Sequence, residues 1–289
     1  MTQFIQQVIL GLLLGGVYVA VALGFSLVWG ILNIVNLAHG AFVIIGSYLT
    51  WTLFAHFGID PFLSLPVDAI ALFLIGYALQ RGVINRVIRA PLLFTFLLTF
   101  GLNLIIVSLL LLIFTADFRS VTPSYSGNGI HIGAIAIPYI RLAGLMVALA
   151  LAGILWLILN RTRTGAAILA VGADRDAAQL VGVDLRHLYA LTFAIGAAFA
   201  GVAGGIISTF QSITPTAGDP YTLQAFAVVI LGGLGRVSAT IAGGLVFGLI
   251  EVLGQSAPGL GAGYANAIAF ALLVIVLAIR PQGLLGRLA

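Results

Sequence analysis

Cysteine and lysine are both absent from this sequence of 289 residues. Without cysteine there is no disulfide framework, no thiolate nucleophile and no thiolate metal site. Without lysine there is no phosphate-binding loop of the Walker type, whose Lys reaches the nucleotide phosphates. The chain therefore does not hydrolyse ATP by that route. Charge of either sign is scarce: eight acids and twelve bases, all of them arginine, make up 7% of the residues. A soluble domain carries about 25% charge, so these few groups cannot clothe a water-facing surface. A soluble globular protein, a disordered chain and a stand-alone nucleic-acid binder are excluded. No charged residue precedes Asp60, and the missing basic n-region argues against a cleaved signal peptide.

What the sequence has in plenty is apolar length, with 62% hydrophobic residues. This predicts an all-α, polytopic transmembrane helical bundle forming one integral membrane domain over 1–289. A bilayer core of about 30 Å takes about 20 apolar residues per helix. Apolar runs at 6–30, 36–55, 62–80, 92–114, 139–159, 188–210, 222–235, 238–254 and 263–279 predict nine spans, within a range of eight to ten. Arginines mark one side of the membrane: Arg81, Arg86 and Arg89; then Arg161, Arg163, Arg175 and Arg186; then Arg280 and Arg287. By the positive-inside rule these regions, and the C-terminus with them, are cytoplasmic, and parity puts the N-terminus on the periplasmic side. The run at 222–235 is too short for a full crossing at 1.5 Å per residue. It reads as a half-helix extended by irregular backbone, with Gly232, Gly233 and Gly235 at its end. Such backbone survives at membrane depth only inside protein or beside a wet cavity. Gly11 and Gly15, Gly196, Ala200 and Gly204, and Gly244 and Gly248 repeat at i, i+4, the spacing of close helix packing in lipid.

Polar residues in these runs are the candidates for function. Asn33, Asn36 and His39 recur every third residue, which on a helix gives one face. They fit a broken helix lining a substrate path, and equally a turn whose Asn side chains cap backbone groups. Thr99 and Asn103 form a weaker i, i+4 pair, explained by interhelical hydrogen bonds or by substrate contact. Glu251, the single glutamate, and Asp68 read as residues near an outer boundary, exposed at the lip or paired with Arg. The four histidines, at 39, 56, 131 and 187, fall in four regions, so neither a metal site nor an enzyme is expected.

The loop 161–187 is the strongest candidate. Asp174 to Val181 is compatible with a short helix, its acids favouring the helix N-terminus and Gly182 its stop. A short helix held between spans suits docking into a partner's groove, although a solvated loop helix at the headgroups explains the composition as well. Asp176-Ala177-Ala178-x-x-x-Gly182 resembles the Glu-Ala-Ala-x-x-x-Gly coupling motif of ATP-binding cassette (ABC) importer permeases, with Asp for Glu. The wider chain resembles the branched-chain amino acid permease family. The matching stretches are 36–42, 161–182, 196–205, 232–235, 243–251 and 280–286.

That resemblance implies a transmembrane subunit in the bacterial inner membrane, embedded in lipid, pairing with a second permease subunit. Two cytoplasmic ATPase subunits would bind and hydrolyse ATP, so the chain itself needs no cofactor, and a periplasmic binding protein would deliver the amino acid. Asp174, Arg175, Asp176, Ala177, Ala178 and Gly182 are then the ATPase-coupling residues. Asn33, Asn36, His39, Thr99, Asn103, Gly232, Gly233 and Gly235 are expected along the substrate path. The alternative is an ion-coupled secondary transporter or channel for small amino acids or amides, which needs intramembrane acids or His. Only Glu251, Asp68 and His39 qualify, and they do not cluster in sequence.

Overall fold

The computed structural model describes residues 2–87, 90–133 and 135–255, and also 267, 270, 271, 274, 275, 278 and 283. The expected last span, 263–279, lies largely outside the described residues, as do Arg89, Arg280 and Arg287 and the expected cytoplasmic C-terminus.

Ten α-helices carry the described chain: α1 (Thr2–Leu32), α2 (His39–Phe57), α3 (Pro61–Gly82), α4 (Leu92–Phe114), α5 (Tyr139–Arg161), α6 (Arg163–Ala173), α7 (Arg175–Leu180), α8 (Leu185–Ser208), α9 (Gly218–Gly232) and α10 (Val237–Gln255). Seven of them, all but α6, α7 and α9, are long and apolar enough to cross a membrane. The all-α bundle expected from composition is what the chain forms. One small exception is an antiparallel hairpin, β1 (Gly129–Ile132) on β2 (Ile135–Pro138), with Gly129 opposite Pro138.

Local chemistry sets the helix ends. Asp60 caps α3 by accepting from the Phe62 N–H at 2.9 Å, and Pro61 at the first position costs no hydrogen bond there. Gly58, at φ 66, closes α2, while the N–H groups of Gly58 and Ile59 satisfy the Phe54 and Leu53 carbonyls. Asp184 caps α8 through the Arg186 and His187 N–H groups.

Helices α1 and α8 form the core, and α3, α4 and α5 stand around it with Leu104, Ile105, Leu112, Ile154 and Leu157 turned outward. In lipid an outward Leu gains nothing by burial, so close backbone packing must hold the bundle. The small residues serve that purpose. A Cβ on Gly15 would meet the backbone of Leu245 and Gly244, and one on Gly24 would strike the Gly196 carbonyl. The glycine spacings read from the sequence are therefore contact lines, α1 on α10, α1 on α8 at Gly196 and α2 on α8 at Gly204.

The bundle has two chemically distinct ends. At one, Gln6 of α1 donates to the Ala136 carbonyl of β2 and accepts from the Ala136 N–H; this is the hairpin end. At the other lie Arg81, Arg86, Arg161, Arg163, Arg175 and Arg186, around the far end of α1. Helices α8 and α10 cross between these ends in full. Helices α2 and α9 do not, and that interruption positions the site.

Candidate functional site

Helix α1 stops at Leu32 because Asn33 takes a left-handed φ of 55, which a helix cannot continue. Residues 33–38 are irregular, and α2 begins at His39. The three polar residues therefore do not share a helical face, correcting the expectation from their spacing. Asn33 is exposed, whereas Asn36 is buried and its Oδ1 accepts from the Ala38 N–H at 3.1 Å. His39 is buried, and its Nε2 donates to the Val21 carbonyl at 2.8 Å. Val21 lies about three turns, roughly 16 Å of rise, before the end of α1. The segment therefore climbs back into the bundle before α2 starts.

The exposed backbone of this junction is satisfied from α4 and α9, as buried polar groups require. Thr99 Oγ1 accepts from the Leu37 N–H and lies within donating reach of the Val35 carbonyl, both at 3.3 Å. Thr222 Oγ1 accepts from the Gly40 N–H at 2.8 Å. A Cβ on Gly40 would strike the Gly218 carbonyl, so the starts of α2 and α9 meet in backbone contact.

Helix α9 is the half-helix anticipated from the short run at 222–235, set four residues earlier, at Gly218–Gly232. The connector 209–217 brings the chain back from the hairpin end to this level. Asn103 Nδ2 donates to Asp219 Oδ1 at 3.2 Å, tying α4 to the first turn of α9. Thr99 and Asn103, one turn apart on α4, thus each hold one interrupted junction. At the other end of α9, Gly232 packs on the Ala239 carbonyl, and Gly233 (φ 112) and Gly235 (φ 75) make the reversal into α10. Those φ values suit glycine alone among common residues.

The loop 161–187 folds as α6 and α7 joined at Asp174. Asp174 Oδ1 accepts from the Asp176 and Ala177 N–H groups at 2.9 and 3.0 Å, a side-chain cap. Gly182, at φ 89, ends the element. Asp176 and Ala177 are exposed and Ala178 is buried, while Leu180 and Val181 stand 89% and 80% exposed at the tip. An apolar tip bare to solvent is the kind of surface a partner covers. Arg175 points the other way. Its Nη2 donates to the Leu32 carbonyl at 2.6 Å, and its guanidinium lies 5.9 Å from the Tyr189 ring centroid. A Cβ on Gly172 would meet Ile31. The α6–α7 unit is thus fastened to the last residue before the α1–α2 junction. Beside it opens a cavity of about 930 Å³ with Arg81, Arg86, Arg175 and Arg186 on its wall.

Two acids differ from expectation. Asp68 is not at a lip: it is buried, and Thr50 Oγ1 donates to its Oδ2 at 2.6 Å. Glu251 is also buried, and it accepts from the Tyr18 hydroxyl, to which Gln224 Nε2 donates at 3.3 Å. Burial of an acid demands partners; Asp68 finds its partner on the preceding helix, 18 residues away, and Glu251 finds its partner 233 residues away, which no spacing could reveal. Outside the spans, Tyr125 donates to Asp60 at 2.7 Å, and burial, then the Asp60 carboxylate, push its hydroxyl above the ordinary tyrosine range. Among the described residues, no three His, Cys, Asp or Glu come together as a metal site would need.

Interrupted helices meeting inside a bundle of seven span-length helices define a multi-pass membrane protein of transporter type. The chain belongs to the family described as the permease component of branched-chain amino acid transport systems, which it matches over residues 7–277. It is 30% identical to the high-affinity branched-chain amino acid transport system permease protein BraD of Pseudomonas aeruginosa, over 98% of this chain and 96% of that one. The LivH protein of Escherichia coli, with the same description, is 31% identical over 98% and 96%. A probable branched-chain amino acid transport permease, LivH of Methanocaldococcus jannaschii, is 29% identical over 93% and 88%. No solved structure matches. The chain is a transport permease and not an enzyme.

Proposed function

We propose that this chain is the transmembrane permease subunit of an ABC importer for branched-chain or related amino acids. In this assignment the membrane is the bacterial inner membrane, with the Arg-rich end cytoplasmic and the hairpin end and N-terminus periplasmic. A second permease subunit, identical or homologous, completes the pathway. Two cytoplasmic ATPases receive the α7 tip, and a periplasmic binding protein delivers substrate to the hairpin end.

The observation that carries this assignment is the family match over residues 7–277, and the bond from Arg175 to the Leu32 carbonyl supports its coupling route. Nucleotide-driven closure of the ATPases would displace α7, and Arg175 would pass that displacement to the end of α1. The 33–38 segment beyond it is where a rigid-body shift can change which side of the bundle is open. Asn33, Asn36, His39, Thr99 and Asn103 stand along the two interrupted junctions, and Gly232, Gly233 and Gly235 at the far end of α9. Half-helix starts and unwound backbone there supply fixed dipoles, which is sufficient for a zwitterion.

The test is binding-protein-dependent, ATP-driven uptake of an amino acid panel in liposomes. A Gly182→Leu variant, strained at a left-handed position, should insert and pair normally yet lose at least about tenfold of uptake, about 1.4 kcal/mol of coupling. Unchanged uptake removes the coupling role from α7. Uptake driven by a proton gradient with no nucleotide replaces the importer with the ion-coupled alternative.

A further inference from the structure

Among the described polar groups, the set around Glu251 plays no part in the coupling route. A cavity of about 270 Å³ opens there between α1, α9, α10 and the 209–217 connector. Its lining includes the polar residues Tyr18, Gln224 and Glu251 and the apolar residues Leu14, Ile207 and Phe210. The polar side has a direction. Tyr18 donates its proton to Glu251 Oε2, so its oxygen accepts from Gln224 Nε2, and this leaves Gln224 Oε1 turned to acceptance. Gln224 is 6% exposed, and its Oε1 has no partner. Nearby, Gln211 Oε1 accepts from the Tyr221 hydroxyl at 2.7 Å, and both residues line the same cavity. A carboxylate offers about four acceptor positions, of which Tyr18 takes one among the described residues. Its acceptors concentrate at Glu251 and Gln224, the donors Gln211 Nε2 and Ser212 Oγ stand on the connector, and apolar groups complete the lining.

We propose that Glu251, Tyr18 and Gln224 form a binding site for the α-ammonium of the transported amino acid, with the aliphatic side chain against Leu14, Ile207 and Phe210. The substrate class rests on the importer assignment above; the ammonium preference rests on the cavity. An ammonium is a donor-only group with three N–H bonds, the complement of this wall. A bare alkali cation would have no use for the apolar side. The volume of about 270 Å³ lies just below the range of drug-sized ligand cavities, about 300 to 1,000 Å³, and so suits a small metabolite and not a peptide.

The test uses the full importer complex in lipid nanodiscs and in liposomes. Dicyclohexylcarbodiimide labels carboxyls inside membranes, and peptide mass spectrometry separates Glu251 from Asp68. L-leucine and isoamylamine should each slow labelling of Glu251 by about fivefold or more at saturating concentration. 4-Methylpentanoate, which lacks the ammonium, and sodium chloride should leave it unchanged. Glu251→Gln should lower leucine uptake at least about tenfold, with Glu251→Asp recovering part of it. Equal labelling with and without isoamylamine overturns the site, and so does protection by sodium chloride alone. If the wild-type complex imports no amino acid yet isoamylamine still protects Glu251, the importer assignment falls and the ammonium site stands.

Discussion

The two junctions that interrupt the bundle, 33–38 between α1 and α2 and 209–217 between α8 and α9, are held in opposite ways. The first is bonded from every side: Arg175 at Leu32, Asn36 on its own backbone, Thr99 from α4, His39 on Val21 and Thr222 from α9. The second is tied mainly to itself and to its neighbours in sequence: the Phe210, Gln211 and Ala217 N–H groups bond within 207–217, and the Tyr221 hydroxyl donates to Gln211 Oε1 at 2.7 Å. The backbones of Ile213 and Arg119 bridge at 2.8 and 3.0 Å, Asn103 reaches Asp219, and Gln211, Ser212, Asp219 and Pro220 remain exposed. A densely bonded junction transmits force, because few of its torsions can relax independently. One bonded mainly within itself, with few ties to other helices and several exposed residues, can move as a unit at lower cost. The tight junction adjoins the coupling unit, and the loose one adjoins the Glu251 cavity and the hairpin end. In the proposed cycle the first serves as lever and the second as entrance.

The strongest way to break this comparison is to force the junctions apart where they touch. Gly40→Leu places side-chain atoms where the Gly218 carbonyl and Thr222 Oγ1 now lie. Backbone cannot yield as a flexible side chain does, so the cost should reach the upper end of overpacking, about 3 kcal/mol or more. The expected outcome is little monodisperse protein in detergent and a lower unfolding midpoint in what survives. A normal midpoint would mean that the starts of α2 and α9 are not locked together.

A more selective disruption separates lever from entrance. Arg175→Met keeps the stem length and the Asp174 cap but removes the bond to Leu32. A hydrogen bond from a charged group is worth about 1.5–3 kcal/mol, and partial exposure of Arg175 places this one near the low end. ATP-driven uptake should fall about tenfold, while the protein's unfolding midpoint moves little because α6 and α7 keep their own caps. Loss of stability with uptake per folded molecule unchanged would make Arg175 a structural tie only.

How much of this could be read in the sequence follows from how far apart the interacting residues lie. The bundle, the short ninth helix and the Asp174 to Gly182 element depend on composition or on contacts within a few residues, and these were legible. Arg175 and Leu32 are 143 residues apart, and Tyr18 and Glu251 are 233 apart. No periodicity links such pairs, so the sequence suggests lip exposure or an Arg partner for Glu251 where the structure buries it against Tyr18. The Asn33 to His39 pattern left a helical face and a turn capped by Asn equally open, and Asn36 capping the Ala38 N–H fits the turn. A three-residue recurrence implies a shared face only if the backbone is helical, and the left-handed Asn33 abolishes that condition. The hairpin at 129–138 was invisible because each strand has four residues, too few for alternation to register.

The finest distinction between the junctions lies on α4, which touches both through side chains one turn apart. Thr99 reaches backbone of the tight junction at 3.3 Å, and Asn103 reaches the Asp219 carboxylate of the loose one at 3.2 Å. Asn103→Leu deletes the second contact and also removes a buried Oδ1 that has no partner. Removing an unsatisfied acceptor offsets part of the lost bond, so the net stability change should be within about 1 kcal/mol. The functional effect should still have a sign. Freeing Asp219 loosens the entrance, which favours opening at the hairpin end over closure, so uptake should fall about two- to threefold with coupling to α7 intact. Thr99→Val acts instead on the junction that other bonds already hold, and should change uptake less. If Thr99→Val proved the more damaging of the two, lever and entrance would have to be exchanged.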